Sequence, residues 1–158
     1  MNSSSSNHWP TVVAGFGSPH GDDQAGWRLA GMLQRRPWVP ARVIAVHEAT
    51  QLLDALEDCR RLIIVDACQS GGRVGSITRL RWPDVRIAER HHHSTHGVGI
   101  CGALQLASHL GRMPRQVDVF GVEVDDCAPG QEIRPAVLEA IIKLEARILD
   151  ELREVVHA

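Results

Sequence analysis

Leu62-Ile63-Ile64-Val65-Asp66-Ala67 is the stretch on which the fold turns: an unbroken apolar run that ends in a carboxylate. A run so short and so uniformly apolar suits the central strand of a parallel sheet, which is covered on both faces and therefore shows no alternation. Upstream, Thr11-Val12-Val13-Ala14-Gly15-Phe16 reads as a buried strand closed by glycine, and Arg42 to Val46 as another. Downstream, Val117 to Val122 reads as a fourth main strand. Between these runs, apolar residues recur at helical spacing. One set is Ala25, Leu29, Met32 and Leu33, with Asp22-Asp23 in front and Pro37 behind. Leu52, Leu53, Leu56 and Cys59 form the second, and Val98, Cys101, Leu104 and Ala107 the third. Val137, Ile141, Leu144 and Ile148 form a long terminal helix in which Pro135 suits the first turn. After the Gly71-Gly72 turn, Val74 to Trp82 is expected to add a strand or hairpin element, and the polar stretch Pro83 to His93 to be a loop. Strands alternating with helices imply an α/β fold: a three-layer sandwich, with a mostly parallel twisted sheet flanked by helices and joined by right-handed crossovers.

The rest of the chain is consistent with one domain over residues 11–158 and a disordered lead-in over residues 1–10. There are 158 residues, 44% of them apolar and 23% charged, with no internal repeat. The formal net charge is −2, which argues against a nucleic-acid surface, and protonating the nine histidines would reverse its sign. The N-terminal Met1-Asn2-Ser3-Ser4-Ser5-Ser6-Asn7 has neither the basic start nor the apolar stretch of a signal peptide. No apolar run approaches a membrane span. Cys59, Cys68, Cys101 and Cys127 form no CxxC pair, so the expectation is reduced, structurally buried thiols in a cytoplasmic protein. Size suggests a monomer.

In open α/β sheets, ligands bind beyond the carboxyl ends of the strands. Ser18 to Asp23, His47-Glu48, Asp66 to Ser70 and Glu123 to Asp126 should meet there, joined by Ser94-Thr95-His96 at the start of the third helix. Gly15-Phe16-Gly17 invites a small nucleotide-binding module. However, His20 stands where the fingerprint needs its third glycine, and Asp22-Asp23 would compete with a pyrophosphate for the helix start. Two carboxylates and an imidazole would instead suit Zn, Ni, Mn or Fe and leave positions open for substrate. HExxH, GxSxG and P-loop signatures are absent. Spacing alone does not choose among Asp22, Asp23, His47, Glu48, Asp66, His96 and Asp125. His91-His92-His93 reads as a solvated tract in a polar loop.

The order Gly15-Phe16-Gly17-Ser18, then Gly21-Asp22-Asp23-Gln24-Ala25-Gly26, resembles the opening of the hydrogenase maturation proteases. Leu62 to Ala67 resembles the family's apolar strand ending in Asp-Ala, and Ser94-Thr95-His96-Gly97-Val98-Gly99 its Ser-x-His-x-x-Gly helix start. The likeness runs over roughly residues 11–152. It implies an endopeptidase that removes the C-terminal extension of a nickel-iron hydrogenase large-subunit precursor once nickel is inserted. It also implies that Asp23, Asp66 and His96 are at once the catalytic residues and the metal ligands. Nickel would be supplied by the substrate, zinc or cadmium could substitute in vitro, and activity should fall in acid as His96 protonates. Ser18 replaces a usual asparagine, His47-Glu48-Ala49-Thr50 stands where many members carry Gly-Gly-Thr, and Gly121-Val122-Glu123-Val124 lacks a frequent proline. These departures fall around the cleft and bear on substrate identity. So do the extra polar groups His91 to His93 and Asp125-Asp126. A non-catalytic relative that holds metal or precursor without cutting is the other reading, although retention of all three ligands favours the enzyme.

Overall fold

The computed structural model describes residues 10–91, 99–125, 128 and 130–157. Its strands are β1 (Thr11–Phe16), β2 (Arg42–Val46), β3 (Arg61–Cys68), β4 (Ile77–Arg81) and β5 (Gln116–Glu123), in the spatial order β2-β1-β3-β5-β4. All neighbours pair in parallel except β4, which runs antiparallel to β5 along one edge. The helices are α1 (Ala25–Gln34), α2 (Ala49–Ala55), α3 (Val85–Arg90), α4 (Ile100–His109) and α5 (Pro135–His157), and a 3-10 turn, Gly21–Gln24, leads into α1. Among the described residues, no helix is long and apolar enough to cross a membrane.

Successive side chains of a strand point to opposite faces, and here each face has its own helix layer. Val12, Ala14, Leu62, Ile64 and Val119 pack with Leu52, Ile87 and Leu104, from α2, α3 and α4. Val13, Ile63, Val65, Phe120 and Val122 pack with Leu29 and Leu33 of α1 and with Ile141, Leu144 and Ile148 of α5. Leu62 to Val65 are all buried because both faces of β3 are covered, and this is the three-layer α/β sandwich implied by their composition.

Three of the differences from the sequence expectation have a clear physical reason. β3 continues through Asp66 to Cys68, because its ladder with β5 runs on to Cys68 opposite Glu123. α2 ends at Ala55, so Leu56 and Cys59 enter the core from the turn beyond it. Residues 83–93 were expected to form a loop, yet α3 lies within them. Asp84 caps it by accepting the Arg86 N–H at 2.9 Å, and Ile87 turns into the core. A single buried apolar residue among charges is too little periodicity to reveal a helix.

Gly15 and Gly26 bring the backbones of β1 and α1 into contact. A Cβ on Gly15 would lie 2.0 Å from the Gly26 carbonyl oxygen, and one on Gly26 would lie 2.0 Å from the Phe16 oxygen and 2.5 Å from that of Val65. The glycines that suggested a nucleotide fingerprint are thus required by strand–helix packing itself.

Candidate active site

Asp66 projects from β3 near the carboxyl edge of the sheet, and its side chain is 16% exposed. Its Oδ2 lies 3.1 Å from His91 Nδ1. Burial pushes the Asp66 carboxyl above its ordinary range. The His91 hydrogen bond pulls it back, and the negative charge of nearby Asp23 pushes it up again. Two carboxylates from distant parts of the chain therefore share one electrostatic neighbourhood.

The adjacent acids Asp22 and Asp23 have different surroundings. Asp22 is buried, and its Oδ1 accepts the Arg134 backbone N–H at 2.8 Å while Oδ2 accepts the Arg134 Nε–H at 2.5 Å. Arg134 also pairs with Asp125. Asp22 thereby fastens the opening turn to the segment before α5, and both its oxygens are engaged. Asp23 is held by its backbone: its N–H donates to the His20 oxygen at 3.0 Å and its carbonyl accepts from Ser18 N–H at 3.2 Å. Among the described residues its carboxylate has no hydrogen-bond or ion-pair partner, which leaves it available for a ligand.

The other sequence candidates also have structural partners. Glu48 and Gln51 form a capping box at the start of α2, and Gln51 Oε1 also accepts the His47 N–H at 2.7 Å. The exposed His47 ring lies 4.2 Å from that of Trp27, whose Nε1–H donates to the Val46 oxygen at 3.0 Å. Glu123 is buried and accepts from Ser70 N–H, Gly72 N–H, Ser70 Oγ and Cys68 Sγ, which ties the loop after β3 to the end of β5. Burial pushes the Cys68 thiol up to about 12, in keeping with a structural thiol. Cys59, Cys68 and Cys101 are all free.

His96, with Ser94 and Thr95, lies outside the described residues, as do His92, His93, Asp126 and Cys127. Accordingly, no group of three or more His, Cys, Asp or Glu side chains able to hold a metal occurs among the described residues. His91 overturns an expectation. It is not solvated in a loop but sits at the end of α3, with its side chain 1% exposed, against Asp66. The spacing of four from buried Ile87 was the available signal, and it was masked by the neighbouring histidines.

A family model described as hydrogenase maturation protease matches residues 46–151. The chain belongs to that family. Among curated relatives, the hydrogenase expression/formation protein HupD of Bradyrhizobium diazoefficiens is 30% identical over 138 residues, covering 82% of this maturation protease and 72% of the relative. The HupD protein of Rhodobacter capsulatus is 29% identical over 150 residues, covering 90% and 70%. Among solved structures, the hydrogenase maturating endopeptidase HybD from E. coli superposes with a TM-score of 0.77 at 24% identity, over 92% of this chain and 93% of that one. A hydrogenase 2 maturation peptidase from Thaumarchaeota archaeon SCGC_AB-539-E09 gives 0.64 at 25% identity, over 90% and 97%. The fold of this maturation protease is the fold of those peptidases.

Proposed function

We propose that this protease removes the C-terminal extension of a nickel-iron hydrogenase large-subunit precursor after nickel insertion, and that Asp23, Asp66 and His96 engage the nickel carried by that substrate. The observation that carries the reading is that Asp23 and Asp66 stand near enough to each other for their charges to interact: burial is the main cause that raises the Asp66 carboxyl, and the charge of Asp23 adds to it. Like charges brought together in partial burial favour a cation between them. Oxygen donors from two carboxylates, joined by an imidazole nitrogen, suit a divalent first-row metal. Asp22, with both oxygens committed to Arg134, is not available for this role.

A metal held there supplies positive charge that can polarise a scissile carbonyl or make a water more acidic. The chain's own part is to fix two donor groups on rigid elements, Asp66 on β3 and Asp23 on the turn that enters α1. Nickel that arrives with the precursor would make cleavage conditional on completed metal insertion. Zinc or cadmium would occupy the same donors in vitro. The cytoplasm, where such a precursor would be assembled, is the proposed location, and a monomer the proposed form.

Incubation with candidate large-subunit precursors, loaded and unloaded with nickel, followed by intact-mass measurement, tests the proposal. Loaded precursor should lose a single C-terminal fragment and unloaded precursor should stay whole. Efficient cutting of metal-free precursor would overturn it.

A further inference from the structure

We infer that His91 is a positioning residue that fixes the carboxylate of Asp66 for the metal. The inference rests on Asp66 being a ligand, as proposed above. Its basis is the 3.1 Å contact between His91 Nδ1 and Asp66 Oδ2, made by a ring withdrawn from solvent. An ionised Asp66 accepts the Nδ1–H bond, and the proton on Nδ1 leaves the lone pair on Nε2. That Nε2 is buried and has no hydrogen-bond partner among the described residues. Buried side-chain nitrogens normally have a hydrogen-bond partner. Among the described residues one nitrogen of His91 goes without a partner while the other is aimed at the carboxylate.

The surrounding backbone holds the ring in place. The His91 N–H donates to the Ile87 oxygen at 3.0 Å, and Ile87 is fully buried. The Gln69 N–H donates to the Arg90 oxygen at 3.0 Å, which ties the end of α3 to the chain just beyond β3. The imidazole and the carboxylate are thus carried by elements that a backbone hydrogen bond joins beside the contact. Hydrogen bonds to ligating groups set their orientation, and losing such a partner typically weakens metal affinity or activity about 10–100-fold.

Cadmium titration of the full-length protein by calorimetry tests this, with thermal unfolding measured in parallel. His91→Leu fills the volume without a donor, while His91→Gln keeps an N–H that can reach Asp66. The expectation is a cadmium affinity about 10–100-fold weaker in His91→Leu and largely rescued in His91→Gln. Unchanged affinity in a folded His91→Leu protein would overturn the assignment. So would equal loss in both variants. If His91→Leu does not fold, ring nitrogen-15 NMR of the unsubstituted protein decides: Nδ1 should remain protonated on adding cadmium, and neither His91 nitrogen should couple to cadmium-113. Coupling there would make His91 a ligand and overturn the positioning role. Asp23→Asn separates the two proposals. If it binds cadmium as tightly as the unsubstituted protein, the ligand reading fails, whereas intact dependence on Asp23 with indifference to His91 sinks only this inference.

Discussion

Asp22 and Asp23 are adjacent and chemically identical, yet opposite consequences are expected when each is changed to asparagine. Asp22→Asn keeps one carbonyl oxygen for the Arg134 N–H but turns an amide NH2 toward the guanidinium, which loses a charge-assisted bond. Such bonds contribute about 1.5–3 kcal/mol, and because the Arg134 side chain is 40% exposed, the lower part of that range, about 1.5–2 kcal/mol, applies. For a chain of this length that corresponds to a fall in Tm of about 3–8 °C. Processing measured well below the midpoint should persist. Asp23→Asn removes a carboxylate that has no partner among the described residues and relieves repulsion on Asp66, so stability should stay within about 0.5 kcal/mol of the original while processing of nickel-loaded precursor disappears. Differential scanning calorimetry and intact-mass assays on the same preparations read both quantities. If Asp22→Asn kept its Tm and stopped cutting, and Asp23→Asn still cut, the assignment of anchor and ligand would be refuted.

Two glycines of α1 should also behave oppositely. Gly26→Ala drives a methyl group into the backbone oxygens of Phe16 and Val65, which cannot swing aside, so a loss of at least about 3 kcal/mol in urea unfolding is expected. Gly31→Ala meets nothing within 4 Å and should gain about 0.5–1 kcal/mol, so equal effects at the two positions would contradict the packing. Acid should destabilise the fold through Asp118 and Glu123. Burial alone would raise both carboxyls. It is outweighed at Asp118 by hydrogen bonds from Gln116 and Arg79, and at Glu123 by those from Ser70, Cys68 and Gly72, so both sit below their usual values. Their contribution is therefore complete above the ordinary carboxylate range and is lost as pH falls through the depressed folded values. Urea midpoints from pH 7 down to about 3 should decline, and Glu123→Gln should lower stability at pH 7 while making that decline shallower. An unchanged slope would remove Glu123 from the account.

The fold was legible where pattern and burial coincide. Leu62 to Val65 announced a strand covered on both sides, and Thr11–Phe16 and Arg42–Val46 were readable to the residue. α3 was not, because only Ile87 among its six residues is buried and the charges around it resemble a loop. At the site, Asp66 could be anticipated from its place at the end of an apolar run. Spacing alone did not separate Asp22 from Asp23, and only the family resemblance pointed to Asp23, because their surroundings differ through Arg134, which lies 112 positions away from Asp22. His91 was hidden for the same reason: its partner is 25 positions distant, and neighbouring histidines gave the tract a polar look.

The contact between Gly15 and Gly26 has a further consequence. With β1 and α1 seated directly on one another, the two ends of the turn that carries Asp23 are held at a fixed separation, and α1 cannot tilt from the sheet without driving backbone into backbone. Other parts of the rim are built differently. The corner at His47-Glu48 and the loop gathered by Glu123 rest on side-chain contacts, which can be exchanged while the frame behind the acids stays the same.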